Sequence, residues 1–383
     1  MKNVDFTGAE GGTRTPTGIH PLDPEPSAST SSATSAGNRV EICNMEDYIT
    51  SSSLVNSFKE VLSEMTIIYD LEEVKGPLTN PVLTVGNFDG VHKGHLALFD
   101  RVKERARAIG GQSVVMTFEP HPIKVMKPGN GPPLITLGEQ KLRLINDADI
   151  DVIFFIPFTK QFAAISARDF VQNILIKKIG MKELIVGYDY AFGRNREGNI
   201  KLLQEMGNHF DFAVHVVEPI RIDDSLVSST SIRKLVHEGN LSKAKALLGR
   251  DYQISGSVVK GKDRGGRLLG FPTANLKLID ELTPKVGVYA VNVLIDDQTY
   301  EGLTNVGYNP TFGNGVFSVE THILDFSGDL LGKSIRVNFI QRLRDEKNFE
   351  TVGDLADQIG QDVKEARALF KKLKNLQDFR ATD

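Results

Sequence analysis

A chain of 383 residues, 40% apolar and 25% charged, has room for two or three domains and the composition of an ordinary globular protein, which excludes a disordered polymer or a fibrous repeat for its bulk. A net charge of −4 leaves no broad basic face, so a nucleic-acid scaffold is excluded and any anion must be held locally. The single cysteine, Cys43, permits neither an internal disulfide nor a thiolate metal cluster, and no uncharged apolar stretch approaches the roughly 18 residues of a membrane span. A cytoplasmic protein without a membrane or nucleic-acid partner is expected.

Residues 1–64 differ from the rest. From Gly11 to Gly37 the chain is Gly, Ser, Thr, Pro and Ala with almost no large apolar side chain, too little to offset the entropy of ordering. A disordered leader is expected, with a weak helical pattern over 45–64, or a leader added by an over-extended reading frame. Gly12 to Thr15 back-translates to the antisense of a tRNA T-arm, and Met65 is an alternative start.

Ordered signals follow. Apolar runs at 81–87, 113–119, 151–158, 183–189 and 211–218 alternate with helical patterns near 94–109, 137–147, 167–178 and 198–207. Strand alternating with helix predicts a doubly wound parallel sheet of Rossmann-like type, with its ligand beyond the carboxyl ends of the strands. A helical region follows at 229–248, and a linker helix is expected at 236–250. The pattern then changes to period two over five or six segments, which predicts a closed antiparallel β-barrel. Leu355, Ile359, Val363, Ala366, Phe370 and Leu373 mark a C-terminal helix that packs on the barrel. The expected domains are 65–235 and 251–383.

The segment TVGNFDGVHKGH sets an apolar strand before a turn containing Gly86, Asn87, Phe88, Asp89, Gly90 and Gly94, then a helix beginning near His95. Glycines there let backbone N–H groups approach phosphate oxygens, and the helix start adds partial positive charge. His92 and His95 are three apart and can donate hydrogen bonds to one polyphosphate as charge builds in the transition state. Further along, Asp189 follows a strand and is offered to a ribose or base. At 227–233, VSSTSIR puts Ser229, Thr230 and Arg233 at a helix start, where they grip phosphate or merely cap the helix.

A second constellation lies in GKDRGGRLLGFPTANL. Gly261, Lys262, Arg267 and Gly270 form a glycine and basic loop able to cover phosphates, and Pro272 fixes the turn that follows. Thr273 and Asn275 share a face of an extended segment and present hard oxygens suited to Mg²⁺ carried with ATP. In SVETHILDF, Glu320 falls on the face opposite Val319, Thr321 and Ile323.

The HxGH element resembles the nucleotidyltransferase superfamily signature, and GNFDGVHKGH looks like its flavin adenylyltransferase branch. VSSTSIR is similar to that family's ISSTxxR motif with Val227 for isoleucine, and GFPTAN resembles the riboflavin kinase signature. Residues about 65–375 thus resemble the bifunctional riboflavin kinase and FMN adenylyltransferase family. The resemblance implies ATP-dependent phosphorylation of riboflavin to FMN in the barrel, then adenylylation of FMN to FAD with release of pyrophosphate. It also implies that Glu320 is the base for the ribityl hydroxyl and that Asn305 and Arg344 lie near flavin or nucleotide. RGGR stands where the family commonly has RGR, and Asn309 where arginine is frequent. Another nucleotidyltransferase with an accessory barrel is the alternative reading.

Overall fold

Buried strands of a parallel sheet must be apolar on both faces, and the runs from residue 81 onward meet that demand. The computed structural model describes residues 65–74, 78–261, 271–279, 281–296, 298–308 and 317–381. Every described residue belongs to one unit, Ser57–Asp383. The expected leader, the loop with Lys262, Arg267 and Gly270, and the segment with Asn309 all lie outside the described residues.

Strands β1 (Thr66–Ile68), β2 (Val82–Val85), β3 (Ser113–Glu119), β4 (Val152–Pro157), β5 (Glu183–Gly187) and β6 (Ala213–Val217) form one sheet in the order β1–β4–β3–β2–β5–β6. All neighbours are parallel. Every residue of β2 and all but the last of β3 are buried. Helices α1 (Lys93–Ala108) and α2 (Gly138–Asn146) cover one face, packing Phe99, Leu142 and Ile145 on Val115 and Ile153. On the other face, α3 (Phe170–Lys178) and α4 (Ile200–Phe210) pack Val171, Leu175 and Leu203 on Val114, Met116 and Phe154. β1 was not foreseen, because three residues are too few to show a period. From β2 the chain winds outward through β3 and β4 and then returns to β5 beside β2. That reversal opens a crevice beyond the ends of β2 and β5, where ligands of such sheets bind. No helix among the described residues is long and apolar enough to cross a membrane.

The helical region is two helices, α5 (Ser229–His237) and α6 (Leu241–Leu248), separated at Gly239 and closed by Gly249, each glycine with positive φ. A boundary at 235/236 therefore cuts the last turn of α5. Val236, Leu241, Ala244, Leu247 and Leu248 join Tyr252, Ile254, Val337 and Phe339 in one core, so the linker is built into the barrel side.

The barrel closes as predicted. Strands β7 (Tyr252–Val259), β8 (Ala274–Lys277), β9 (Gly287–Ile295), β10 (Gln298–Tyr308), β11 (Phe317–Ile323) and β12 (Ser334–Arg344) run in the order β7–β8–β11–β10–β9–β12, and β12 pairs back to β7. All pairs are antiparallel. Helix α7 (Val352–Ala381) seals one side by burying Ala366 and Phe370 against Val288, Ala290 and Leu303.

Candidate active sites

The first site occupies the crevice. His92 caps α1: its Nδ1 accepts from the backbone N–H of His95 at 3.3 Å, which leaves the ring proton on Nε2 as a donor. The two imidazoles stack with centroids 3.5 Å apart and planes 16° from parallel. Gly94 makes room for this, since a Cβ there would sit 3.2 Å from the His92 ring. Burial, together with the Arg250 and Arg233 charges, lowers the His92 pKa to about 4. Burial and the neighbouring His92 push His95 well below the usual histidine range. Two neutral rings result, able to donate hydrogen bonds without a proton transfer.

Asp89 anchors the turn after β2. Only 4% exposed, its carboxylate accepts from Ile135 N and Thr136 N, both at 3.0 Å, and from the Arg233 guanidinium. Arg233 also donates to Pro133 O, and Ser229 Oγ donates to Asp89 O at 2.8 Å. Ser228 is the residue that caps α5, accepting from Ser231 N, while Thr230 stays exposed. The VSSTSIR motif thus locks the turn after β2. Asn87 O accepts from Thr117 Oγ1 at 3.2 Å. Asp189 is exposed two residues beyond β5, on the other lip of the crevice.

The second candidate site is written in the barrel's register. Asn275 on β8 lies opposite Glu320 on β11, and Glu320 lies opposite Asn305 on β10. The neighbouring Ala274, Thr321 and Thr304 are buried inside, so the three polar residues share the outer face, as the alternation around Glu320 predicts. Ser318 Oγ donates to Glu320 at 3.3 Å. A Cβ on Gly261 would lie 2.3 Å from Asn275 Nδ2, so a side chain there would displace the Asn275 amide. The His322 ring meets Pro272 O at 2.8 Å and fixes the entry to β8, next to exposed Thr273. Arg344 forks onto buried Asp362 of α7 at 2.7 and 2.8 Å, tying the helix to the barrel.

A family model described as FAD synthetase matches residues 75–231, and one described as Riboflavin kinase matches residues 248–370. Proteins named bifunctional riboflavin kinase/FMN adenylyltransferase from Buchnera aphidicola, Escherichia coli K12 and Pseudomonas fluorescens are 36%, 37% and 37% identical to the chain. They cover 81%, 77% and 80% of it, and the match spans 100%, 95% and 98% of their own lengths. The chain belongs to this family of bifunctional flavin enzymes. A solved structure described as a macrolide-efflux protein from Streptococcus pneumoniae is 33% identical, with a TM-score of 0.70 over 79% of this chain and 99% of that one. As a member of the family, the bifunctional enzyme phosphorylates riboflavin and adenylylates FMN, with ATP as donor in both reactions.

The barrel's oxygen donors fit the Mg²⁺ that accompanies ATP. Among the described residues no cluster of three His, Cys, Asp or Glu could hold a metal alone. The Thr273 hydroxyl and Asn275 amide oxygen would instead hold an ion arriving on phosphates, which it would partly neutralise.

Sequence reasoning passed over three ionisable groups of the bifunctional enzyme, two of them buried and one partly so. Lys141, on the apolar face of α2 four residues before Ile145, donates to Phe118 O at 2.9 Å and lies 3.6 Å from Glu119; burial lowers its pKa. Arg250 reaches the turn after β2 from the barrel side. Glu281 accepts from Ser255 N and Oγ, beside a parallel bridge to Leu134, and burial pushes its carboxyl up to about 7. A carboxyl raised in the folded state stabilises fully below its unfolded pKa, and that contribution is lost as pH rises through 7. Glu281→Gln is therefore expected to exceed the parent by about 2 kcal/mol at pH 8 in denaturant titrations. The two should coincide near pH 4.5; equal stability at both pH values would show an unstrained carboxylate.

Proposed function

We propose that the two reactions are divided between the two halves of the chain, residues 65–235 joining FMN to AMP and residues 251–383 phosphorylating riboflavin. The observation that carries this reading is that the histidine pair beyond β2 and the Asn275–Glu320–Asn305 row share no residue and sit on separate elements.

In the barrel, Glu320 takes the proton of the ribityl hydroxyl as that oxygen attacks the γ-phosphorus and the bond to the β–γ bridging oxygen breaks, releasing ADP. Asn275, with Thr273, would hold the ion carried on the phosphates, and Asn305, on the other side of Glu320, meets the flavin or nucleotide. In the sheet domain, an FMN phosphate oxygen attacks the α-phosphorus of ATP and pyrophosphate leaves. The nucleophile is already ionised, so no protein base is needed. Neutral His92 and His95 donate N–H groups to the phosphate oxygens, the N-terminus of α1 adds partial positive charge, and Asp189 meets the ribose or base. The single cysteine and the ATP requirement favour the cytoplasm.

The bond cut in ATP distinguishes the reactions. With β,γ-methylene ATP, supplied FMN should become FAD while riboflavin stays unphosphorylated. With α,β-methylene ATP, riboflavin should stop at FMN. Replacing Glu320 or His92 in the same assays then assigns each reaction to its half; loss of both reactions on one substitution would defeat the division.

A further inference from the structure

The turn after β2 is held from a side that its own domain does not supply. Arg250 follows Gly249, the glycine that closes α6, and stands two residues before β7. Its Nη1 donates to Val91 O at 3.1 Å and its Nη2 to Gly90 O at 2.7 Å, so one planar fork holds two successive carbonyls. The backbone beneath that fork is unusual, with φ of +47° at Phe88, +92° at Gly90 and +35° at Val91. A β-branched residue in the left-handed region persists only where its surroundings impose it. Val91 immediately precedes His92, so whatever fixes the Val91 carbonyl fixes the direction in which the His92 ring leaves the chain.

The opposite side of the same turn is also tied to the barrel. Gly90 N–H donates to Thr136 Oγ1 at 2.9 Å, and Ile135 and Thr136 hold Asp89. The preceding residue, Leu134, accepts at 2.8 Å from Leu282 N in the segment between β8 and β9. Ile135 itself packs in the barrel's core.

We propose that Arg250 is a positioning residue for adenylyl transfer: from the barrel side of the chain it imposes the Gly90–Val91 backbone and thereby aims His92. This rests on the assignment of adenylyl transfer to the sheet domain. Arg250 is an expensive way to fill the space if packing were its purpose, because its charge is largely buried and its Nε, also buried, has no hydrogen-bond partner. A leucine would fill the volume but could not grip two carbonyls. Its charge also helps keep both imidazoles neutral.

The test uses the full chain and both reactions in each sample. Arg250→Met is expected to lower kcat for adenylylation by about 10²-fold, the scale of an ångström-sized misplacement, with KM for ATP and FMN changed much less. Arg250→Lys should recover little of the loss, because an ammonium is a point donor that cannot span two carbonyls. Riboflavin phosphorylation should be retained in both variants. Because Arg250 acts through His92, adding Arg250→Met to His92→Ala should cause little further loss.

Full kcat in Arg250→Met, full recovery by Arg250→Lys, additive losses in the double variant, or an equal fall of both reactions would each overturn the proposal. If Arg250→Met does not fold, Arg250→Lys decides alone: a selective fall in adenylylation supports the positioning role, and unchanged adenylylation overturns it. Failure of the underlying assignment is separable, since His92→Ala would then leave adenylylation intact whatever Arg250 does.

Discussion

Glu320→Gln is expected to lower riboflavin phosphorylation by about 10³-fold in kcat, with KM for riboflavin changed little. Glutamine keeps the size of the side chain, the hydrogen bond from Ser318 and the register with Asn275 and Asn305. What it loses is a carboxylate able to take the hydroxyl proton at neutral pH. Conversion of supplied FMN to FAD should be unchanged in the same preparation, which makes it an internal control for folding. Chromatography of riboflavin, FMN and FAD reads both steps in one trace, and a variant that phosphorylates at the parental rate would remove Glu320 from the reaction.

His92→Ala is expected to give the converse: adenylylation reduced by about 10²–10³-fold, with phosphorylation retained. Part of any loss could come from the helix cap, because His92 Nδ1 accepts the His95 N–H. His92→Asn separates the two, since asparagine caps well but carries no imidazole. If the ring is the donor, both variants fail alike; if only the cap matters, asparagine restores the rate. The low pKa of His92, about 4, also fixes a pH signature. Its ring stays neutral at and above pH 6, so the parental rate should show no histidine inflection between pH 6 and 8. A histidine acting as an acid with its ordinary pKa would instead lose activity as pH rises through that range. The same depressed value makes the unfolded chain bind more protons between about pH 4 and 6.5, so this contribution to stability is lost as pH falls.

Local order was legible and distant partnership was not. Ser113–Glu119 could be bounded from sequence because an apolar run buried on both faces has no other residence. The face of Glu320 followed from the period of two, and the histidine turn from glycines beside an HxGH string. By contrast, nothing near Asp89 in sequence announces its partners, and only the fold brings up Ile135 and Thr136, some forty-six residues on, to donate to its oxygens. Nothing local to Arg344 announces that Asp362 will face it from α7. The short strand β1 and the break between α5 and α6 were missed for a different reason: three residues carry no period, and one glycine in a helical pattern is tolerated as often as it terminates.

The row formed by Asn275, Glu320 and Asn305 depends on strand pairing alone. A slip of one residue in β11 would turn Glu320 into the barrel's apolar interior and bring Val319 or Thr321 out in its place. Such an error would leave the barrel's strand content nearly intact and its overall dimensions unchanged, yet, with Glu320 as the proposed base, it is expected to silence the kinase. Turnover of riboflavin is therefore a sharper gauge of correct refolding than any spectroscopic measure of β-structure: it counts only those molecules in which three strands have found their partners to the residue.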